Sequence, residues 1–94
     1  SYQGIDFCFI DGHHDGKSTN EYFDRISRVL NDGSIVVIDD VTWSDDMQRA
    51  WNTIKNKEQV ILSVDTYMMG ICLIGKNRKI RKKKREQAFK IMYW

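Results

Sequence analysis

Ile5-Asp6-Phe7-Cys8-Phe9-Ile10 runs into Asp11-Gly12-His13-His14, and further on Ile35-Val36-Val37-Ile38 runs into Asp39-Asp40. Each is a nearly unbroken apolar run that closes in carboxylate. Strands apolar on both faces suit a parallel sheet, because helices cover both of its sides. In open parallel sheets, ligands bind beyond the carboxyl ends of the strands. The two runs therefore gather three Asp and two His where chemistry is normally done.

Between them lies a helix pattern. Ser18-Thr19-Asn20-Glu21 fits a capping box, with Ser18 as N-cap and Glu21 reaching back to it. Tyr22, Phe23, Ile26, Val29 and Leu30 form one apolar stripe, and Arg25 and Arg28 take the other face. Asn31-Asp32-Gly33 supplies turn residues that tolerate positive φ. Ser44 caps a second helix, with Asp45 and Asp46 in its first turn and Met47, Ala50, Trp51 and Ile54 as its stripe. Residues 60–64 and 68–74 read as two further strands in a hairpin, with a turn near Asp65-Thr66. The fold class is α/β: strand, helix, strand, helix, then an antiparallel strand pair.

At the start of the chain, the strand Ile5-Asp6-Phe7-Cys8-Phe9-Ile10 has a neighbour on one side only. An open apolar edge is an aggregation hazard that native domains usually blunt, and nothing blunts this one. The expectation is that an upstream strand, or a second copy through self-association at residues 5–10, covers it. The opening Ser1-Tyr2-Gln3-Gly4, with no Met before a strand, reads as a start inside a larger domain.

The chain has 94 residues, room for one modest core, and no Pro. Cys8 and Cys72 lie inside apolar runs and read as small core residues, which fits a reducing, cytoplasmic setting. No apolar run approaches the ~20 residues of a membrane helix, so no membrane partner is expected. Residues 1–75 carry six Lys/Arg against twelve Asp/Glu, a charge of −6. Residues 76–94 carry nine Lys/Arg against Glu86 alone, a charge of +8, and end in Phe89-Lys90-Ile91-Met92-Tyr93-Trp94. The expected division is an acidic folded part, 1–75, and a basic tail, 76–94, with an apolar end. Aromatic residues do not interleave with the basic cluster, so the tail reads as a solvated extension rather than a nucleic-acid arm.

Asp11, Asp39 and Asp40, if brought together by neighbouring strands, repel one another unless a cation joins them or some stay protonated. Oxygen ligands of this kind suit Mg²⁺, Mn²⁺ or Ca²⁺. The plainer alternative is that one Asp caps a loop and the others face solvent. His14, on the loop leaving the first strand, suits a general base near pH 7; the alternative is a surface His bonded to a carbonyl. Asp15-Gly16-Lys17-Ser18 lacks the first Gly of a phosphate loop at the required spacing. Trp51 reads as core, Trp43 as either a pocket wall or a surface ring, and Met68-Met69 as core filler.

FCFIDGHH, IVVIDDVTWSDDMQRAW and MMGICLIGK, in this order, resemble the C-terminal half of class I S-adenosylmethionine-dependent methyltransferases, closest to the O-methyltransferase-like branch. The resemblance runs from about Ile5 to Ile74. It implies a Rossmann-like sheet of seven strands with a reversed hairpin strand at one edge, of which this chain supplies the fourth to seventh strands. The Gly-rich cofactor loop and the ribose-binding acid of the family's first two strands have no counterpart here. The chain alone is therefore expected to be inactive. In metal-dependent relatives a divalent ion sits on an Asp after the fourth strand and an acid–amide pair after the fifth. Those positions are Asp11, Asp39 and Asp40, with Asp40 standing where the amide would be. Asp11 is also expected to border S-adenosylmethionine, and His14 falls where the catechol enzymes carry a Lys base. The implied reaction is methyl transfer to a hydroxyl of a small molecule. Two alternatives stand beside it. One is a non-enzymatic module whose basic tail engages nucleic acid or a partner protein. The other is a receiver-like phosphoacceptor, for which Lys76, beyond Gly75, is poorly placed.

Overall fold

The computed structural model describes residues 6–11 and 15–75, and the backbone of residues 88–90. The elements are β1 (Phe7–Ile10), α1 (Gly16–Val29), β2 (Ile35–Ile38), α2 (Asp45–Lys55), β3 (Val60–Asp65), β4 (Gly70–Ile74) and β5 (Ala88–Lys90). They build one five-stranded sheet in the order β1-β2-β4-β3-β5. β1 and β2 are parallel, and β4 runs antiparallel to both β2 and β3. The fold is α/β and consistent with a partial Rossmann-like methyltransferase sheet, with β4 as the reversed strand.

β1 is shorter than the apolar run suggests, because Asp6 is engaged in holding a turn. Its Oδ2 accepts from the main-chain N–H and the side-chain amide of Asn31, each at 3.0 Å. Its own N–H donates to Ser34 Oγ at 3.0 Å. This acid holds the turn that contains Gly33, whose φ is positive. Glycine carries no steric penalty in that conformation. The same bonds set the register of β2 beside β1.

α1 starts three residues earlier than a capping box at Ser18 requires. Asp15 is the N-cap, its Oδ1 accepting from Ser18 N–H at 2.7 Å. A carboxylate is the stronger acceptor and also faces the positive end of the helix, so it displaces the hydroxyl from the role. Ser44 does cap α2 as its sequence suggests, accepting from Met47 N–H at 3.1 Å. The hairpin is present, with a longer turn than expected. Met68 and Met69 lie in the turn rather than in β4, and Met68 is exposed. Thr66 closes that turn: its N–H and hydroxyl both donate to Met69 O, and its Oγ1 accepts from Met69 N–H, all at 2.9 Å.

Both helices pack on one side of the sheet. Phe23 and Leu30 of the α1 region and Met47, Trp51 and Ile54 of α2 join Ile10, Val36, Ile38, Cys72 and Ile74 in a single core. Lys57, just beyond α2, pairs with Asp24 of α1 at 3.1 Å. The other side of the sheet differs from the sequence expectation of helices on both faces. Its register gives two rows, Phe7-Ile35-Leu73-Leu62 and Phe9-Val37-Ile71-Val64, all apolar and none buried. Phe7 is 67% and Phe9 53% exposed, so exposure concentrates at the β1 end. Among the described residues β1 pairs with β2 alone and forms one edge of the sheet.

β5 closes the opposite edge, parallel to β3 with Phe89 in register with Val64. The sequence pattern did not mark it as a strand, since three residues beyond a charged run carry too short a signal. The rest of the basic tail, with its cluster at 76–85, lies outside the described residues.

Candidate functional site

β1 and β2 end side by side. Asp39 N–H donates to Ile10 O at 2.9 Å, carrying the ladder one step past the strands. That last bond brings the loop after β2 against the loop after β1. Asp39 Oδ1 then accepts from Asp40 N–H at 2.9 Å, and Asp40 O accepts from Trp43 N–H at 3.0 Å, which folds the loop back on itself. Asp40 has a positive φ, in the left-handed region. Asp visits that region more readily than most residues because its short polar side chain bonds locally. Nothing in the sequence marks this turn, for which Gly or Asn is the usual signal.

The result is a cluster. One carboxylate oxygen each from Asp11, Asp39 and Asp40 lies within 4.8 Å of the others. Asp11 is exposed, and Asp39 and Asp40 are half-buried. Three hard oxygen donors at this spacing, with an open side for water, match the needs of Mg²⁺ or Mn²⁺, which retain water ligands. His14 and its neighbour His13 lie outside the described residues.

One recess borders the cluster, and a second lies apart from it. On the β1 side a pocket of about 480 Å³ lies between the strand and α1, lined among others by Phe9, Asp11, Ser18, Glu21, Tyr22 and Arg25. Its size is that of a small-molecule site, and it shares Asp11 with the cluster. The sequence reading gave Glu21 to a capping box, Tyr22 to the apolar stripe and Arg25 to the other face, so none of the three was marked as lining a pocket. A smaller recess of about 210 Å³ lies beyond α2, lined by Val41, Thr42, Trp51, Lys55, Asp65 and Thr66. Trp51 is core, as its place on the stripe suggests. Its Nε1 donates to Asp65 Oδ1 at 2.6 Å, and Lys55 Nζ bonds Asp65 Oδ2 at 2.9 Å. Trp43 is 72% exposed and lies outside the linings of both recesses.

The loop after β2 is tied to the hairpin turn. Val41 N–H donates to Met68 O at 3.0 Å, and Thr42 Oγ1 donates to Tyr67 O at 3.1 Å. The cysteines take no part in the site. Cys72 is buried, and burial first, then the charge of Asp65, pushes its thiol far above the ordinary range; burial also raises Cys8. Both are free thiols. No helix among the described residues is long and apolar enough to cross a membrane.

Neither a curated protein nor a solved structure matches the chain. Residues 2–41, from the approach to β1 through the Asp39-Asp40 loop, match the family model described as a methyltransferase domain, which supports a methyltransferase domain here and methyl transfer as its kind of chemistry.

Proposed function

We propose that this chain is the C-terminal half of an O-methyltransferase-like domain that transfers a methyl group from S-adenosylmethionine to a hydroxyl of a small molecule. The observation that carries the reading is the family match over residues 2–41, which ends at the carboxylate loop. The reversed β4 and the carboxylates beyond the parallel strands agree with it.

When bound, S-adenosylmethionine supplies an electrophilic methyl on a sulfonium, and a divalent ion supplies a charge that favours the acceptor's oxyanion. Asp11, Asp39 and Asp40 are the residues that would hold the ion. Asp11 would also border the cofactor, a role supported by its place in the lining of the larger pocket. His14 takes the proton from the acceptor hydroxyl. The chain's contribution is chiefly to hold the acceptor in line, because a well-oriented displacement needs little further chemistry from the protein.

In this reading the Gly-rich half of the cofactor site belongs to polypeptide outside this sequence, so this chain alone neither binds the cofactor nor turns over. Calorimetric titration with S-adenosylhomocysteine, with and without Mg²⁺, tests it: no heat of binding is expected, and clear binding would mean that the site is completed otherwise. A binding module built on the basic tail is the second reading, favoured by the +8 charge of residues 76–94. Tight, salt-dependent binding to phosphate polymers would support it.

A further inference from the structure

We infer that Asp46 is a positioning residue whose carboxylate holds the loop bearing Asp11 against the loop bearing Asp39 and Asp40. The inference rests on reading those three carboxylates as a cation site. Asp46 lies in the first turn of α2, and its Oδ2 accepts from the N–H of Gly16, the first residue of α1, at 2.7 Å. The contact leaves no spare room. A Cβ on Gly16 would lie 2.8 Å from both the main-chain O and Oδ1 of Asp46. Close by, Thr19 Oγ1 meets Met47 Sδ at 3.6 Å inside the protein.

The first turns of the two helices are thus joined directly, and each helix begins shortly after the strand end that carries the site. Gly16 follows Asp11 by five residues, as Asp45 follows Asp40. Five residues of chain bound the distance between each of these carboxylates and the helix start that follows it. Locking one helix start to the other therefore limits how far the two carboxylate loops can separate. A carboxylate suits the junction, because it sits in the first turn of its own helix and accepts from the first amide of the other, where both dipoles favour negative charge.

The test compares the full chain with Asp46→Asn, which keeps an oxygen acceptor, and with Asp46→Ala, which keeps none. Amide hydrogen exchange is followed at Gly16, Ser18, Asp40 and Trp43 against the core amides of Val36 and Cys72, and Mn²⁺ affinity is measured by electron paramagnetic resonance. Asp46→Ala is expected to speed exchange at the first four sites alone and to weaken Mn²⁺ binding about 10-fold, the scale of changes behind metal ligands. Asp46→Asn should stay close to the original protein in both. Gly16→Ala, which disturbs the same contact from α1, should resemble Asp46→Ala. Unchanged exchange in Asp46→Ala, equal loosening of Val36 and Cys72, or failure of Asp46→Asn to rescue would each overturn the inference. Absence of Mn²⁺ binding in the unaltered chain would instead count against the cation site, and the exchange pattern would still decide the role of Asp46.

Discussion

Gly70 has no side chain where the indole of Trp51 lies: a Cβ there would fall 2.6 Å from three carbons of the ring. The indole cannot retreat. It is 5% exposed, its Nε1 is bonded to Asp65, and Lys55 Nζ stands 5.7 Å from the ring centre. Gly70→Ala should therefore destabilise the fold by about 1–3 kcal/mol, the usual cost of overpacking. Urea unfolding would show a lower midpoint with an unchanged slope. A midpoint like that of the unaltered protein would mean that the ring is free to shift.

The buried thiol of Cys72 makes a second prediction. Its folded-state value lies above the ordinary 9.0, so the folded protein holds this proton more tightly than the unfolded chain does. The stabilisation is complete below about pH 9 and is lost as pH rises above it. The thermal midpoint should fall on the alkaline side, and Cys72→Val should flatten that fall. A thiol reagent at neutral pH should modify Cys72 only on unfolding. Rapid modification in the native protein would contradict its burial.

Much of the sheet was legible because its strands are short apolar runs with abrupt polar ends. Asp11, Asp39 and Asp40 mark such ends, and strand pairing then brings them together. What escaped the sequence reading depends on contacts across long separations. Asp6 was given no role in the apolar run that holds it, yet it bonds Asn31, 25 residues away. The sequence reading placed the N-cap at Ser18, whereas Asp15 holds it and Ser18 supplies the N–H that it accepts from. Met68 looked apolar enough for a strand, but the Thr66–Met69 bonds close a longer turn that takes it in. The sheet face that neither described helix covers was half legible: alternation is absent from β1 and β2, but which face the helices take is a matter of topology.

Asp40 stands where metal-dependent relatives of the proposed family carry an amide. Asp40→Asn should remove one like charge from the cluster and raise stability without divalent cation by about 0.5 kcal/mol. Asn tolerates the positive φ found there, so the loop should persist. Asp40→Ala, which tolerates it poorly, should lower the melting temperature instead. Equal effects of the two substitutions would mean that neither charge nor backbone conformation matters at this position.

Self-association through β1 is expected to be weak and concentration-dependent. Each copy offers chiefly Phe7, Phe9 and the half-buried residues of two short rows. So small a patch falls short of a standard protein–protein interface, which takes some 20–30 residues from each partner, roughly. Sedimentation velocity should show monomer giving way to dimer as concentration rises, and Phe9→Lys should hold the chain monomeric. Phe9→Lys that leaves the dimer intact would place the contact elsewhere.

The proposed chemistry depends above all on Asp11, Asp39 and Asp40 forming a working cation site at the carboxyl end of the parallel strands. The decisive experiment is titration of the chain with Mn²⁺, followed by electron paramagnetic resonance and repeated with Asp39→Asn. One ion per chain, lost or strongly weakened in Asp39→Asn while the fold persists, is the predicted result. No binding, or binding indifferent to Asp39, would contradict the site.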